Sequence, residues 1–278
     1  MKSDHEAEVD AGARFEFGRN WQRFLHEVDE RRIALAVKSL EELLDGASLE
    51  GRRFLDAGSG SGLFSLAARR LGANVTSFDF DPASVACTRE MQRRFAPDDP
   101  DWTIVSGSVL DEQFLATLGR FDIVYSWGVL HHTGGMWPAL GHVGNLIDDH
   151  GLLAVALYND QGRGSRTWLR IKRWYNRLPG MLRWIVLLPC FIRLWGPTMV
   201  RDCVRGKPFN SWRHYADDSI RGMSPWYDLI DWVGGLPFEV AKPEELLDFY
   251  RARDFELVYL KTCAGGIGCN EFVFRKPG

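Results

Sequence analysis

Three glycines and two acids carry the first chemical signal. Asp56 opens the run Asp56-Ala57-Gly58-Ser59-Gly60-Ser61-Gly62, in which glycines alternate with small residues. Phe54 and Leu55 form a short apolar run ahead of it, and Leu63, Leu66, Ala67 and Leu71 follow at helical spacing. A β-rich run, Val75–Phe78, then ends in Asp79. Strand, glycine turn, helix, strand and acid make the first half of a nucleotide-binding βαβ unit. The glycines let backbone approach a ligand closely, and the new helix offers unpaired N–H groups. An acid at the tip of the second strand can accept both hydroxyl hydrogens of an adenosine ribose. A tight βα turn alone would explain the glycines but neither acid.

The details favour S-adenosylmethionine (SAM) over a dinucleotide. A dinucleotide fingerprint that begins at Gly58 needs its third glycine at position 63, which is Leu63. That glycine serves a pyrophosphate, which SAM lacks. Asp56 would repel a pyrophosphate but can help hold the ammonium of the methionine moiety. At these residues the chain resembles the class I SAM-dependent methyltransferases, whose first motif is an acid followed by G-x-G-x-G. The resemblance implies a cofactor site built from Asp56, Gly58, Ser59, Gly60, Gly62, Asp79 and Phe80. In that family the loop after the third strand lies along the adenine, where Ser108 and Val109 fall, although a plain turn would read the same way. Ser126 belongs to the same expected set. Trp21, beside Asn20, either closes over the cofactor or, with Phe15, Phe17 and Phe24, only anchors an N-terminal arm.

A second chemical signal follows the apolar run Phe121–Trp127, which reads as a buried parallel strand. Gly128-Val129-Leu130-His131-His132 stands at its carboxyl end, where open α/β sheets bind ligands. The resembling family often has Leu-x-His here, and His132 takes that place. A histidine there can receive the proton of a hydroxyl as it attacks a methyl group. Alternatively His132 caps or packs the next helix, and His131 is the second candidate base. No thiol or carboxylate cluster has metal-ligand spacing, so no metal is expected.

These residues need a frame. The chain has 278 residues, 45% of them hydrophobic, enough for one large α/β domain or a domain with an insertion. Ile33, Val37, Leu40 and Leu44 share a helical face. Pro82–Phe95, Asp111–Leu118 and Trp137–Ile147 read as helices, and Trp102–Val105 and Gly151–Tyr158 as strands. Near the C-terminus, Pro243–Arg253 reads as a helix, and Phe255–Thr262 with Asn270–Arg275 as an antiparallel hairpin. The expectation is a doubly wound, mostly parallel α/β sheet; the resemblance sets it at seven strands. It divides into an arm and helix (1–50), a SAM-binding core (51–158), a mainly helical insertion (159–241) and the sheet's completion (242–278). The resemblance is strong over Gly51–Tyr158 and architectural over Lys242–Lys276. Residues 1–13 are polar and expected to fray. No signal peptide or membrane span is read, and five cysteines without a C-x-x-C pair suggest reduced thiols in a cytoplasmic setting.

The insertion breaks from the rest in charge. Residues 160–207 hold eleven cations against two acids, a net of +9, so the remainder carries −12 of the chain's −3. Arg166, Arg170, Arg173 and Arg177 fall on one helical stripe, with Trp168, Ile171, Tyr175 and Leu178 opposite. Trp184–Ile192 is an apolar run interrupted by Pro189, too short to span a bilayer. Cations beside tryptophan and aliphatic residues suit an interfacial anchor through residues 163–207, a helical lid, or a phosphate-bearing substrate. The core also resembles the ubiquinone-pathway O-methyltransferases, which carry a membrane-contacting insertion at this place. That implies O-methylation of a lipid-linked acceptor, a polyprenyl phenol/quinol or a lipid-linked glycan, at the inner face of a membrane. The competing readings are a soluble small-molecule or nucleic-acid acceptor, nucleic acid being disfavoured, and a SAM-binding regulatory pseudoenzyme. Arg221–Leu246 is expected to be a substrate-facing loop whose Arg221, Tyr227, Asp228, Asp231 and Glu239 can bind hydroxyls. Nothing in the sequence sets the oligomeric state.

Overall fold

The structure is a computed structural model that describes residues 4–215 and 225–278. Arg221 lies outside the described residues. In chain order, α1 (Asp4–Asp10), α2 (Phe17–Phe24) and α3 (Glu30–Leu43) precede β1 (Arg53–Ala57) and α4 (Leu63–Arg70). Then come β2 (Asn74–Asp79), α5 (Pro82–Phe95), β3 (Trp102–Ser106), α6 (Glu112–Leu118), β4 (Phe121–Trp127), α7 (Met136–Asn145) and β5 (Ile147–Tyr158). The insertion supplies α8 (Arg163–Arg177), α9 (Trp184–Val204), α10 (Asn210–Arg213) and α11 (Pro225–Gly234). The chain ends with α12 (Pro243–Arg251), β6 (Glu256–Lys261) and β7 (Cys269–Arg275).

The seven strands lie in the order β3-β2-β1-β4-β5-β7-β6. β1 to β5 pair in parallel, and β7 is antiparallel to both its neighbours. Strand order reverses between β1 and β4, which puts a ligand crevice at their carboxyl ends. Apolar residues bury both faces of the sheet, as a parallel sheet requires. One face holds Phe24, Leu40, Leu66 and Met91, and the other Phe78, Leu140, Leu246 and Tyr250. A third cluster gathers Phe15 from the arm with Trp168, Tyr175, Cys190, Leu229 and Val233 of the insertion. The arm and the insertion are therefore packed together.

Three expectations need correction. Residues 4–10 are helical rather than frayed, because His5 is buried against Asp81 and Phe80. Pro189 does not interrupt its segment: α9 runs through both Pro189 and Pro197, although each lacks the N–H that a helix interior uses. The described part of the expected substrate-facing loop contains α11, since Trp226, Leu229, Ile230 and Val233 repeat at helical spacing and bury Leu229 and Val233. Lys172, one of the eleven cations of residues 160–207, is completely buried.

Candidate active site and cofactor cavity

The turn after β1 shows why its glycines are glycines. Gly58 has φ +89°, and a Cβ there would lie 2.3 Å from Val129 in the loop after β4. Gly60 has φ +55°, with the Trp21 indole packed 3.0 Å from where its Cβ would be. The turn is pinned by Gly58 and Ser59 N–H groups that both donate to the Phe78 carbonyl, at 2.9 and 3.0 Å. Ser59 Oγ also bonds Thr88 Oγ1 at 2.9 Å.

Beside this turn lies a cavity of about 320 Å³, within the range of roughly 300–1,000 Å³ usual for small-molecule sites. Asp56, Gly58, Ser59, Gly60, Asp79 and Phe80 line it, as do Ser108, Val109, Trp21 and His132. Asp79 accepts the N–H groups of Gly60 at 3.0 Å and Asp81 at 2.9 Å. Burial nevertheless pushes its carboxyl up to about 6. Asp56 accepts the Ser65 hydroxyl at 2.5 Å, and burial, with the charge of Asp79, pushes it up to about 7. Two acids on one cavity wall, Asp56 raised in part by Asp79 and Asp79 in part by Asp81, fit a ligand with a sulfonium, an ammonium and ribose hydroxyls. They would repel a pyrophosphate.

Three expected site residues stand elsewhere. Ser126 is fully buried and donates to the Ala57 carbonyl at 2.8 Å, so it straps β4 to β1 instead of lining the cavity. Gly62 supplies a left-handed N-cap for α4, and a Cβ there would lie 2.9 Å from Thr88 Cα. His131 is fully buried behind Tyr158, with ring centroids 3.9 Å apart, and its Nδ1 accepts the Tyr158 N–H at 3.4 Å. Of the two histidines, His132 is the one on the cavity wall.

The histidine's chemistry is set by a distant segment. His132 Nδ1 lies 2.6 Å from the Pro237 carbonyl oxygen. A carbonyl only accepts, so Nδ1 carries the hydrogen and the basic lone pair sits on Nε2. Phe17 packs on the same imidazole, with centroids 4.8 Å apart.

The N-terminal arm contributes residues that the motifs did not announce. His5, Glu8 and Arg14 line the cavity. Arg14 pairs with Glu8 at 2.5 Å, donates to the His132 carbonyl at 2.9 Å and stacks 5.0 Å over the Phe80 ring. Asp81 receives the Gly18 N–H at 2.8 Å and the Ala83 N–H at 2.8 Å, joining α2 to α5. Asp231 of α11 also reaches the cavity. Of the other insertion candidates, Asp228 accepts the Tyr215 hydroxyl at 2.5 Å and Glu239 accepts the Met136 N–H at 3.1 Å, while Asn20 donates to the Tyr227 carbonyl at 3.3 Å.

The glycine turn at the β1/β4 reversal, the two buried acids and the seven-stranded order define a class I SAM-dependent methyltransferase. The chain belongs to the methyltransferase domain family, which matches residues 24–190. Among curated relatives, the ubiquinone biosynthesis O-methyltransferase of Rhodopseudomonas palustris (strain HaA2) is 29% identical over 141 residues, covering 49% of this chain and 53% of that protein. The tRNA U34 carboxymethyltransferase of Alcanivorax borkumensis is 39% identical over 87 residues, or 31% of this chain and 26% of that one. The chain thus spans about half, or less, of the length of these curated relatives. Magnesium protoporphyrin IX methyltransferase from Synechocystis PCC 6803, solved with bound SAM, shares the fold over 99% of this chain and 98% of its own, with a TM-score of 0.54 and 13% identity. The cofactor is SAM. Asp56, Asp79, Ser108 and Val109, the residues the resemblance assigned to that cofactor, all line this one cavity.

Proposed function

We propose that the protein transfers the methyl group of SAM to an oxygen of a lipid-linked acceptor, a polyprenyl phenol or quinol or a lipid-linked glycan. The observation that carries this reading is His132. Its Nδ1–H is committed to Pro237, which leaves Nε2 as the base on the wall of the cavity that holds the glycine turn. SAM supplies an electrophilic methyl group on a sulfonium. Phe15, Phe17, Trp127 and Tyr158 wall the cavity beside His132 and would pack on an apolar or planar acceptor while excluding water. His132 Nε2 would take the hydroxyl proton as the oxygen attacks, and most of the rate would come from holding the groups in line.

The lipid-linked part of the reading rests on the insertion. Arg166, Arg170, Arg173 and Arg177 are all exposed on α8. Met181, Ile185, Leu188, Ile192, Val200 and Val204 form an exposed apolar stripe along α9 and its approach. Among the described residues no helix is long and apolar enough to cross a membrane. Such a face suits the plane of an anionic bilayer, where two weak signals together hold a protein.

The test is to incubate the purified protein with methyl-labelled SAM and a total lipid extract, and in parallel with soluble metabolites and RNA. Label is expected in the lipid phase, in an ether that resists mild base. Label confined to the aqueous or RNA fraction would overturn the lipid-linked acceptor, and no label with any fraction would overturn O-methylation.

A further inference from the structure

β6 forms one edge of the sheet. It stands last in the strand order and, among the described residues, is hydrogen-bonded as a strand on one side only, to β7. An edge strand leaves a row of backbone N–H and C=O groups open to a further strand. Its residues are Glu256-Leu257-Val258-Tyr259-Leu260-Lys261, with opposite charges at the two ends. Leu257 and Leu260 are 37% and 40% exposed, while Val258 and Tyr259 are half-buried against the core face that holds Phe24 and Leu40. No β6 residue lines the cofactor cavity.

A bulge decides which of these residues share a face. Leu257 lies opposite Phe274 of β7 and Tyr259 opposite Val273, so Val258 is an extra residue. In an unbroken strand, positions 257 and 260 would point to opposite faces. With the extra residue between them they stand opposite Phe274 and Phe272, which are both part of the core face that holds Leu140 and Tyr250. Leu257 and Leu260 therefore share that face. Glu256 and Lys261 stand opposite Arg275 and Glu271, on either side of Val273, and share the other.

We propose that β6 pairs antiparallel with β6 of a second copy of this chain, joining two sheets into one across a two-fold axis. The inference goes beyond the proposed methyl transfer and does not rest on it. Such a contact is isologous, and residues directly opposite one another must share a face. Setting Leu257 opposite Leu260 of the second copy meets that demand only because of the bulge. The same register brings Lys261 opposite Glu256 of the second copy, and by symmetry each pair occurs twice. Across the joint, one face then carries Phe272, Leu260 and the second copy's Leu257 and Phe274. The other carries Glu271, Lys261 and the second copy's Glu256 and Arg275, charges that alternate in sign. Apolar pairs and opposite charges facing across strands both stabilise the pairing. Terminal charges and a bulge also blunt the edge of a chain that stays single. Blunting calls neither for opposite signs at the two ends nor for two leucines placed to meet about one axis.

Sedimentation velocity of the full chain at rising concentration measures the association, with calorimetry of S-adenosylhomocysteine binding as the check that each variant is folded. The wild type should dimerise with a Kd of about 0.1 mM or tighter. Glu256→Lys sets two lysines against each other at both ends of the joint, and Lys261→Glu sets two glutamates. Each should weaken the dimer at least roughly tenfold while S-adenosylhomocysteine binding holds. Mixed in equal amounts, the two variants should form a heterodimer about as tight as the wild-type dimer, since every facing pair is then of opposite sign. In the wild-type dimer the amides of residues 256–261 should exchange more slowly than in the monomer. A wild type that stays monomeric up to about 0.1 mM overturns the proposal, as does a dimer that neither variant weakens or a mixture that does not recover. Should a charge variant fail to fold, Leu257→Ser with Leu260→Ser decides at exposed positions, and a dimer of undiminished affinity there overturns the proposal as well.

Discussion

At the residue scale, the cofactor acids work against the stability of the empty protein. A free carboxyl titrates near about 4, whereas Asp79 is pushed up to about 6 and Asp56 to about 7 by burial. Between those values the folded chain binds more protons than the unfolded one, so stability falls as pH rises from about 4 to about 7. Asp79→Asn should therefore raise the melting temperature of the cofactor-free protein at pH 8. The same change should weaken SAM binding by roughly 10- to 100-fold, the loss of a charged hydrogen-bond partner. Melting curves and calorimetry read the two effects separately, and unchanged SAM affinity would remove Asp79 from the ribose. Lys172 has the opposite sign, since burial lowers it from the usual lysine range to about 7. Its contribution is lost as pH falls through about 7 and regained towards about 10.5, so Lys172→Met should flatten stability across that window. His132→Ala should lower turnover about 10²–10⁴-fold with SAM affinity intact; a loss under tenfold would return His132 to a packing role. The motif acids were legible because their spacing is local. The Leu-x-His pattern put His132 ahead of His131, but the burial of His131 behind Tyr158 was not legible, because Tyr158 lies on another strand. Lys172 was hidden for the same reason: an arginine stripe predicts solvent, and Trp232 and Phe238, far along the chain, remove it.

At the element scale, β1 to β4 were readable almost to the residue, because apolar runs bounded by glycine, proline and acids leave little choice. β5 begins earlier than its apolar run, at Ile147, where its pairing with β4 shifts register and His150 takes φ +63°. No apolar pattern announces such an irregularity. α11 was hidden by composition, since glycine and acids around a helical period look like a loop. α1 was hidden because seven residues with only Ala7 and Val9 apolar make no amphipathic stripe; tertiary contacts supply the helix. Those contacts run through Arg14, which ties α1 to Phe80 and to the His132 loop. Arg14→Ala should therefore open the arm and speed SAM release by roughly tenfold, the worth of one charge-assisted hydrogen bond. Stopped-flow displacement measures this, and an unchanged release rate would mean that the arm does not gate the cofactor.

At the scale of the whole molecule, the charge asymmetry acquires a surface. The four exposed arginines of α8 and the apolar stripe of α9 belong to one insertion, with Trp174 and Trp184 also exposed. Over its 21 residues, α9 runs about 30 Å at about 1.5 Å per residue, long enough to lie flat along a bilayer. Met181, Ile192 and Val204 are 89%, 58% and 83% exposed, a larger apolar commitment to solvent than single scattered residues explain. Each arginine near an anionic surface adds about 1 kcal/mol, and the stripe adds burial at the acyl boundary. Co-sedimentation should therefore find the protein on vesicles that contain anionic lipid, less of it as salt rises, and little on zwitterionic vesicles. Changing Arg166, Arg170, Arg173 and Arg177 to Glu should abolish most of the binding. Ile185→Ser with Ile192→Ser should weaken it at every salt concentration, because that part is not electrostatic. Neither set touches the cavity, so SAM affinity should hold in both. If the wild type stays in solution with anionic vesicles at low salt, the insertion serves as a lid, and the acceptor is to be sought among soluble molecules.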